Sequence, residues 1–125
     1  MYSDYHNFLL EANVDNKWIS VENGILKVYL RKGKRRIEGL DIDTLDVANL
    51  NISNQKLRGK GTFTRFITML EKEPMPLYIE NIENERLEIF LSKRGYTPIY
   101  NDFYPHGGII SLLYTNEHKS KFKWN

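Results

Sequence analysis

A short glycine-containing segment is the part of the chain whose residue types best fit ligand binding. It reads Arg58-Gly59-Lys60-Gly61-Thr62-Phe63 and lies between a predicted strand and a predicted helix. Glycines let the backbone approach a ligand closely, and loop N–H groups at a helix N-terminus favour negative charge. The segment therefore predicts a pyrophosphate site. Its spacing matches neither a Walker loop nor the G-x-G-x-x-G fingerprint, and a plain strand-to-helix turn is the alternative.

The strand that precedes this segment changes the phase of its apolar alternation. Leu45 and Val47 fall on one face, whereas Ala48, Leu50 and Ile52 fall on the other. A shift of one residue moves every following side chain to the opposite face of a sheet. The pattern therefore predicts a β-bulge, which bends the strand and leaves backbone groups without ladder partners.

The elements before this strand are predicted from periodicity and turn residues. A short amphipathic helix is expected within the first dozen residues, with Ser3 or Asp4 as its cap. Two strands, Lys17–Val21 and Ile25–Arg31, should form a hairpin around an Asn-Gly pair.

The basic run Arg31–Arg36 is expected at the tip of a second hairpin, whose return strand passes through Arg36 to Ile42 or beyond. A solvated turn that blunts an edge strand explains its charge, and an anionic partner is the alternative.

The elements after the glycine segment are predicted in the same way. They are a helix from Phe63 to Lys72, a strand over Leu77–Ile82, a helix capped by Asn84 and ended by Arg94-Gly95, and strands over Tyr96–Tyr100 and Ile109–Tyr114. The order predicts an α+β fold in one domain over residues 1–125, because no linker divides the chain.

Composition narrows the class of protein. The 125 residues are 41% hydrophobic and 27% charged, which is typical of a globular domain. The absence of cysteine excludes thiolate nucleophiles, and three scattered histidines predict no metal site. A net charge of only +2 is far below the charge expected of a dedicated nucleic-acid binder. Without a leader or a long apolar run, the chain is expected in the cytoplasm, with no membrane partner.

Two motifs together resemble the GNAT superfamily of N-acetyltransferases. Arg58-Gly59-Lys60-Gly61 behind a bulged strand is similar to that family's pyrophosphate loop for acyl-CoA. Asn84 followed by a helix that ends at Gly95-Tyr96 is similar to its second motif. The motifs occur in the family's order and cover residues 45–96, about half of the chain. The resemblance implies a GNAT-like fold, with a central, mostly antiparallel twisted sheet, a splayed bulged strand and flanking helices.

The resemblance also implies acetyl-CoA as co-substrate and direct attack by an amine on its thioester. The backbone of Leu50, Asn51 and Ile52 would pair with the pantetheine arm. The residues Arg58, Gly59, Lys60, Gly61, Thr62 and Phe63 would hold the pyrophosphate, and Asn84 would approach the cofactor from the other side. The acceptor would be an amine-bearing small molecule, a protein lysine or a protein N-terminus.

Four residues are candidates for proton transfer in that reaction. Asp46 and Glu80 lie on the two strands that would flank the opening beside the splayed strand. The apolar neighbours of Glu80 would raise its pKa. Tyr104 and His106 lie on the loop before the last strand, and His106 can exchange protons near neutral pH. Each has a structural alternative as an ordinary strand or surface residue.

The chain departs from the family pattern at several positions. Phe63 stands where the family has Gly or Ala, and Leu91 stands where it often has a general-acid tyrosine. The N-terminal part is also shorter than usual. A GNAT-like module without catalysis and a small nucleic-acid-associated protein are therefore the alternatives. Pairing of two copies through the strand Ile109–Tyr114 would give a homodimer.

Overall fold

Three helices, six strands and a short 3-10 turn make up the described structure. The computed structural model describes residues 2–52, 61–82, 85–100 and 110–124, with the backbone alone at 51, 52, 81 and 100. The elements are α1 (Ser3–Leu10), β1 (Asn16–Val21), β2 (Leu26–Ile37), β3 (Leu40–Ile52), α2 (Thr62–Glu71), β4 (Leu77–Ile82), α3 (Glu85–Lys93), β5 (Thr97–Tyr100), β6 (Ile110–Tyr114) and the 3-10 turn Lys119–Lys121. Mixed helices and strands confirm the α+β class.

The six strands form one mixed sheet. Their order is β1-β2-β3-β4-β6-β5, and β3 and β4 are the parallel pair among otherwise antiparallel neighbours. Parallel neighbours need a crossover, which here contains α2. The strand β6 is hydrogen-bonded on both sides, by β4 and by β5. The expected homodimer through this strand is therefore wrong in its geometry, because an interior strand has no free edge to offer a second copy.

One face of the sheet carries the core. Alternate residues of β2 (Leu26, Val28 and Leu30) are buried together with Tyr5 and Phe8 of α1. The same cluster takes in further residues of β3, β4, β6 and the other two helices, namely Leu45, Val47, Leu77, Ile79, Leu112, Phe66, Ile67, Leu70 and Leu91. Because side chains alternate along a strand, the intervening residues face away from this core.

The predicted bulge in β3 is confirmed. Tyr29 of β2 pairs with Asn49 and the next residue, Leu30, pairs with Val47, so Ala48 is an extra residue in β3. A second irregularity lies in β4, where the pair Ile79–Leu112 is followed by Ile82–Ile110. Each of the two parallel strands therefore carries one residue more than its antiparallel neighbour requires.

The predicted position of the basic run is wrong. β2 continues through Arg31–Arg36 to Ile37, and the turn is formed instead by Glu38 and Gly39, with φ angles of 50° and 81°. Positive φ at two central residues gives the turn whose twist suits a hairpin, and glycine is favoured there. The run consequently lies inside a strand, where its side chains alternate between the two faces of the sheet.

The three helices lie where they are predicted, but the expected cap of α1 is wrong and the cap predicted at Asn84 lies outside the described residues. The helix α1 has Tyr2 at its N-cap without a side-chain hydrogen bond, and Asp4 instead accepts a bond from the backbone N–H of Ser20 at 3.1 Å. Asp4 therefore ties α1 to β1. At the other end of the chain, Gly95 has a φ of 96° and the N–H of Tyr96 bonds back to the carbonyl of Leu91, which confirms the predicted end of α3.

Candidate functional site

The parallel strands β3 and β4 pair over a short stretch and then separate. Their ladder runs from Leu45↔Leu77 to Val47↔Ile79. Among the described residues, neither Ala48–Ile52 of β3 nor Glu80–Ile82 of β4 has a partner on the other strand. Both extra residues lie where the strands separate. The result is an opening in the middle of the sheet, with backbone groups of two strands directed into it. We call this opening the splay.

The helix α2 begins at the far end of the connection that leaves β3. Gly61 caps it in the left-handed conformation, with φ of 81°, and Thr62 is its first residue. A Cβ atom on Gly61 would lie 2.9 Å from Nη1 of Arg65, so this guanidinium group lies close to the helix N-terminus. A cation near a helix N-terminus opposes the helix dipole, and it needs a compensating anion.

Glu22 supplies that anion from the β1–β2 turn. Arg65 donates to both of its carboxylate oxygens, from Nη2 at 2.5 Å and from Nε at 2.8 Å. The hydroxyl groups of Tyr2 and Thr62 also donate to it, at 2.9 and 3.2 Å. Glu22 is 6% exposed and has φ of 51°, a conformation that costs a non-glycine residue about 1 kcal/mol or more. Its hydrogen bonds offset this strain and join α1, α2 and the turn.

The hydrogen bonds to Glu22 should make the stability of the protein depend on pH. The Arg65 guanidinium lowers the pKa of Glu22 from its ordinary value of 4.5 to about 2. A carboxylate with a lowered pKa contributes stability above its unfolded pKa and loses it as pH falls. We expect Glu22→Gln to cost about 1–2 kcal/mol at pH 7, a figure reduced because Arg65 is half exposed. The difference from the unsubstituted protein should shrink between pH 5 and pH 2.

Urea unfolding at a series of pH values measures this effect. Glu38→Gln is the matched control, since Glu38 has almost the same φ of 50° but is exposed in the hairpin turn. Parallel pH profiles for the Glu22 variant and the unsubstituted protein would contradict the assignment.

The carboxylates of Asp46 and Glu80 lie close together near the point where the pairing of β3 with β4 ends. Asp46 is fully buried and Glu80 is mostly buried, on adjacent strands and on the face opposite the core. Arg31 and Arg35 of β2 reach both of them: Nε of Arg31 and Nη2 of Arg35 donate to Asp46 at 3.0 and 2.7 Å. Arg35 also donates to Glu80 at 2.7 Å, and Arg31 donates to the same oxygen. Two cations and two anions thus form a neutral cluster.

The surroundings hold this cluster in one arrangement. The Thr44 hydroxyl donates to Asp46 at 2.6 Å, and the Arg35 guanidinium lies 3.7 Å from the centre of the Tyr78 ring. Gly33 lies between the two arginines on the same strand face. A Cβ atom on Gly33 would come within 2.6 Å of Asp46 and Thr44, so the missing side chain is what admits the carboxylate.

Both bonds to Glu80 end on one of its oxygens. Arg31 and Arg35 donate to Oε1, and no described residue donates to Oε2. Two guanidinium groups therefore share the Oε1 atom. The second oxygen can still accept a hydrogen bond from a ligand. Glu80 is therefore suited to orient a donor group at the splay.

The structure brings some of the predicted site residues together and leaves others apart. Leu50, with the backbone of Asn51 and Ile52, lies on the β3 side of the splay, but the Leu50 side chain packs against the core, on the face opposite Asp46 and Glu80. Phe63 packs on Phe90 of α3, with the ring centres 5.9 Å apart. Arg58, Gly59, Lys60, Asn84, Tyr104 and His106 lie outside the described residues, so their roles stay predictions.

Sequence patterns did not identify Arg31 and Arg35 as site residues. A local pattern could have identified them, because Gly33 lies inside a strand-forming run with an arginine two residues before it and another two residues after it. A glycine in such a position is typical of a strand that another group approaches closely. Glu22 and Arg65 were missed as well. A cation in the first turns of a helix without acidic neighbours indicates an acidic partner from elsewhere in the fold.

The basic and acidic runs are largely compensated within the fold. Arg31 and Arg35 pair as described, and Arg36 pairs with Asp41 at 3.1 Å. In the acidic run, Glu71 accepts bonds from Arg94 and from the Tyr96 hydroxyl, at 2.5 and 2.9 Å. Among the described residues, the arginines of the basic run form ion pairs, whereas Lys32 and Lys34 form none.

Comparison with models of known protein families finds no match, and comparisons with curated proteins and with solved structures find none either. Within the described ranges, every helix is too short or too polar to cross a bilayer. The site must therefore be interpreted from its own geometry.

Proposed function

We propose that the protein transfers an acetyl group from acetyl-CoA to a primary amine. The splay is the observation that carries this proposal. A bulge at Ala48 ends the pairing of β3 with β4 after three residue pairs, so unpaired backbone groups line an opening in the sheet. An extended chain with alternating amide donors and acceptors, such as a pantetheine arm, can use those groups as a neighbouring strand would.

The chain offers distinct groups for each part of this substrate. The backbone of Leu50–Ile52 would hydrogen-bond the pantetheine amides. The segment Arg58–Phe63, which ends at the left-handed Gly61 and the start of α2, would hold the pyrophosphate. Arg65 lies close to the same helix start, where Glu22 orients it and compensates its charge.

Acetyl-CoA would supply a thioester, whose carbonyl carbon is the electrophile. The amine nitrogen attacks that carbon, an N–C bond forms, the C–S bond breaks, and the thiolate leaves. The amine loses one proton to water or to a protein base, and the thiolate takes one up. Oε2 of Glu80 would orient the amine at the end of the ladder. Asp46 would hold the arginines, while Tyr104 and His106 stay candidates for the proton steps.

An acyl-CoA-binding module without catalysis is the second candidate. Leu91 stands where the resemblance implies a general-acid tyrosine, and its side chain is fully buried in the core. Both carboxylates at the splay are also ion-paired with guanidinium groups. These observations favour binding without turnover, and an assay for released thiol distinguishes the two candidates.

Binding of acetyl-CoA is tested first by calorimetry, with dephospho-CoA as the comparison ligand. We expect Gly61→Glu to weaken acetyl-CoA binding by about 100-fold, because a carboxylate would stand beside the pyrophosphate. Gly39→Glu is the matched control, since Gly39 has the same φ of 81° but lies in the hairpin turn. Equal affinities for both variants, or no binding of acetyl-CoA by the unsubstituted protein, would refute the assignment.

Turnover is then measured as free CoA thiol released with a panel of primary amines. The chain contains no cysteine, so a thiol reagent reports the product without background from the protein. Thiol release that requires both acetyl-CoA and an amine supports the transferase. Binding without release with any amine in the panel supports the module without catalysis.

A further inference from the structure

The strand β2 has a free edge beside a groove. β1 pairs with β2 only as far as Asn16↔Arg31, whereas β2 continues to Ile37 and is paired there with β3 alone. The N–H of Lys32 points outward and bonds to the carbonyl of Asp15. Since alternate residues of a strand direct their backbone groups to the same side, those of Lys34 and Arg36 also point outward. Among the described residues, no strand pairs with this edge.

The groove along this edge has apolar walls. It has a volume of about 880 Å³ and is lined by Leu9 and Leu10 from α1 and by Phe122 and Trp124 from the C-terminal segment. Leu10 is 83% exposed, although it is a large apolar residue. Trp124 is held in place by hydrogen bonds from its ring N–H to the Thr44 carbonyl and from its backbone N–H to Asp43, at 2.9 and 2.6 Å.

The charges beside the edge are mainly positive. Lys32, Lys34 and Lys123 line the groove together with Asp15, and Lys123 pairs with Asp43 at 4.0 Å. Lys32 and Lys34 are two residues apart on one strand, so their side chains project on the same face. The Lys32 ammonium donates to the Glu11 carbonyl at 2.7 Å, so a strand paired with Lys34 and Arg36 would place a side chain next to the Lys34 ammonium group.

We infer that the free edge of β2 binds an extended acidic peptide as an added strand. The backbone groups of Lys34 and Arg36 would complete the ladder, and an acidic side chain of the peptide would face Lys34. Leu10 and Trp124 would contact the apolar parts of the peptide. Pairing of two copies of this chain through the same edge is disfavoured, because it would bring lysines and arginines together.

The inference does not depend on acetyl-CoA binding, and it is tested by fluorescence anisotropy with labelled, end-blocked hexapeptides. We expect an alternating Glu-Val peptide to bind and an alternating Lys-Val peptide not to bind. A Glu-Val peptide whose glutamates are N-methylated carries the same charge but lacks the N–H groups that would pair with Lys34 and Arg36, and it should bind at least about ten-fold more weakly. Equal binding of the two acidic peptides would overturn the inference.

Variants of β2 locate the site. Lys34→Glu should weaken Glu-Val binding by at least about ten-fold. Lys27→Glu is the matched control, because Lys27 is an exposed lysine on the same strand that is paired with both β1 and β3. Lys34→Pro removes the outward N–H without removing a bond to β3, and it should also weaken binding. Absence of Glu-Val binding, or an equal loss in Lys27→Glu, would show that the lysines only protect the edge.

Discussion

Asp46→Ala is expected to lower the free energy of unfolding by about 3 kcal/mol. Asp46 is fully buried and accepts hydrogen bonds from Arg31, Arg35 and Thr44. Its removal leaves two guanidinium groups with Glu80 as their remaining anion, beside an unfilled cavity. Breaking a buried pair costs about 3–5 kcal/mol, and partial exposure of both arginines places the expected loss near the lower limit.

Urea unfolding monitored by circular dichroism measures this loss. Asp41→Ala is the matched control, because Asp41 lies on the same strand and pairs with Arg36, but both side chains are at least 70% exposed. A solvent-exposed pair contributes about 0–1 kcal/mol, so this variant should be almost unchanged. Equal effects of the two substitutions would show that burial of the cluster is unimportant for stability.

Gly33→Ala is expected to destabilise the protein by about 2–3 kcal/mol, although alanine normally suits a strand better than glycine. The new Cβ atom would lie 2.5 and 2.6 Å from the two Asp46 oxygens and 2.6 Å from the Thr44 hydroxyl. Asp46 cannot move aside without losing its hydrogen bonds to the arginines. The clash therefore cannot be relieved by a small movement of Asp46.

A double-mutant cycle separates this clash from a general effect of the substitution. In an Asp46→Ala background the oxygens are gone, so Gly33→Ala should cost much less than it does alone. The two free energies of unfolding would then be strongly non-additive. Additive effects would mean that Gly33 serves the strand for a reason other than making room for Asp46.

Local patterns in the sequence determined most of the elements and one important irregularity. Apolar periodicity located the three helices and the strands, and Gly95 marked the end of α3. The phase change after Val47 correctly indicated the bulge at Ala48. These features are local because side-chain direction along a strand or helix depends on neighbouring residues alone.

The role of the basic run was decided only by the tertiary structure. Its charge density suggested a solvated turn, but β2 extends to Ile37 and aims Arg31 and Arg35 at carboxylates on two other strands. Alternation along one strand indicates which of its residues share a face. It does not indicate which other strands lie beside it. The order that places β3 and β4 beyond β2, and ends the pairing of β1 with β2 at Arg31, depends on long-range packing of the whole sheet.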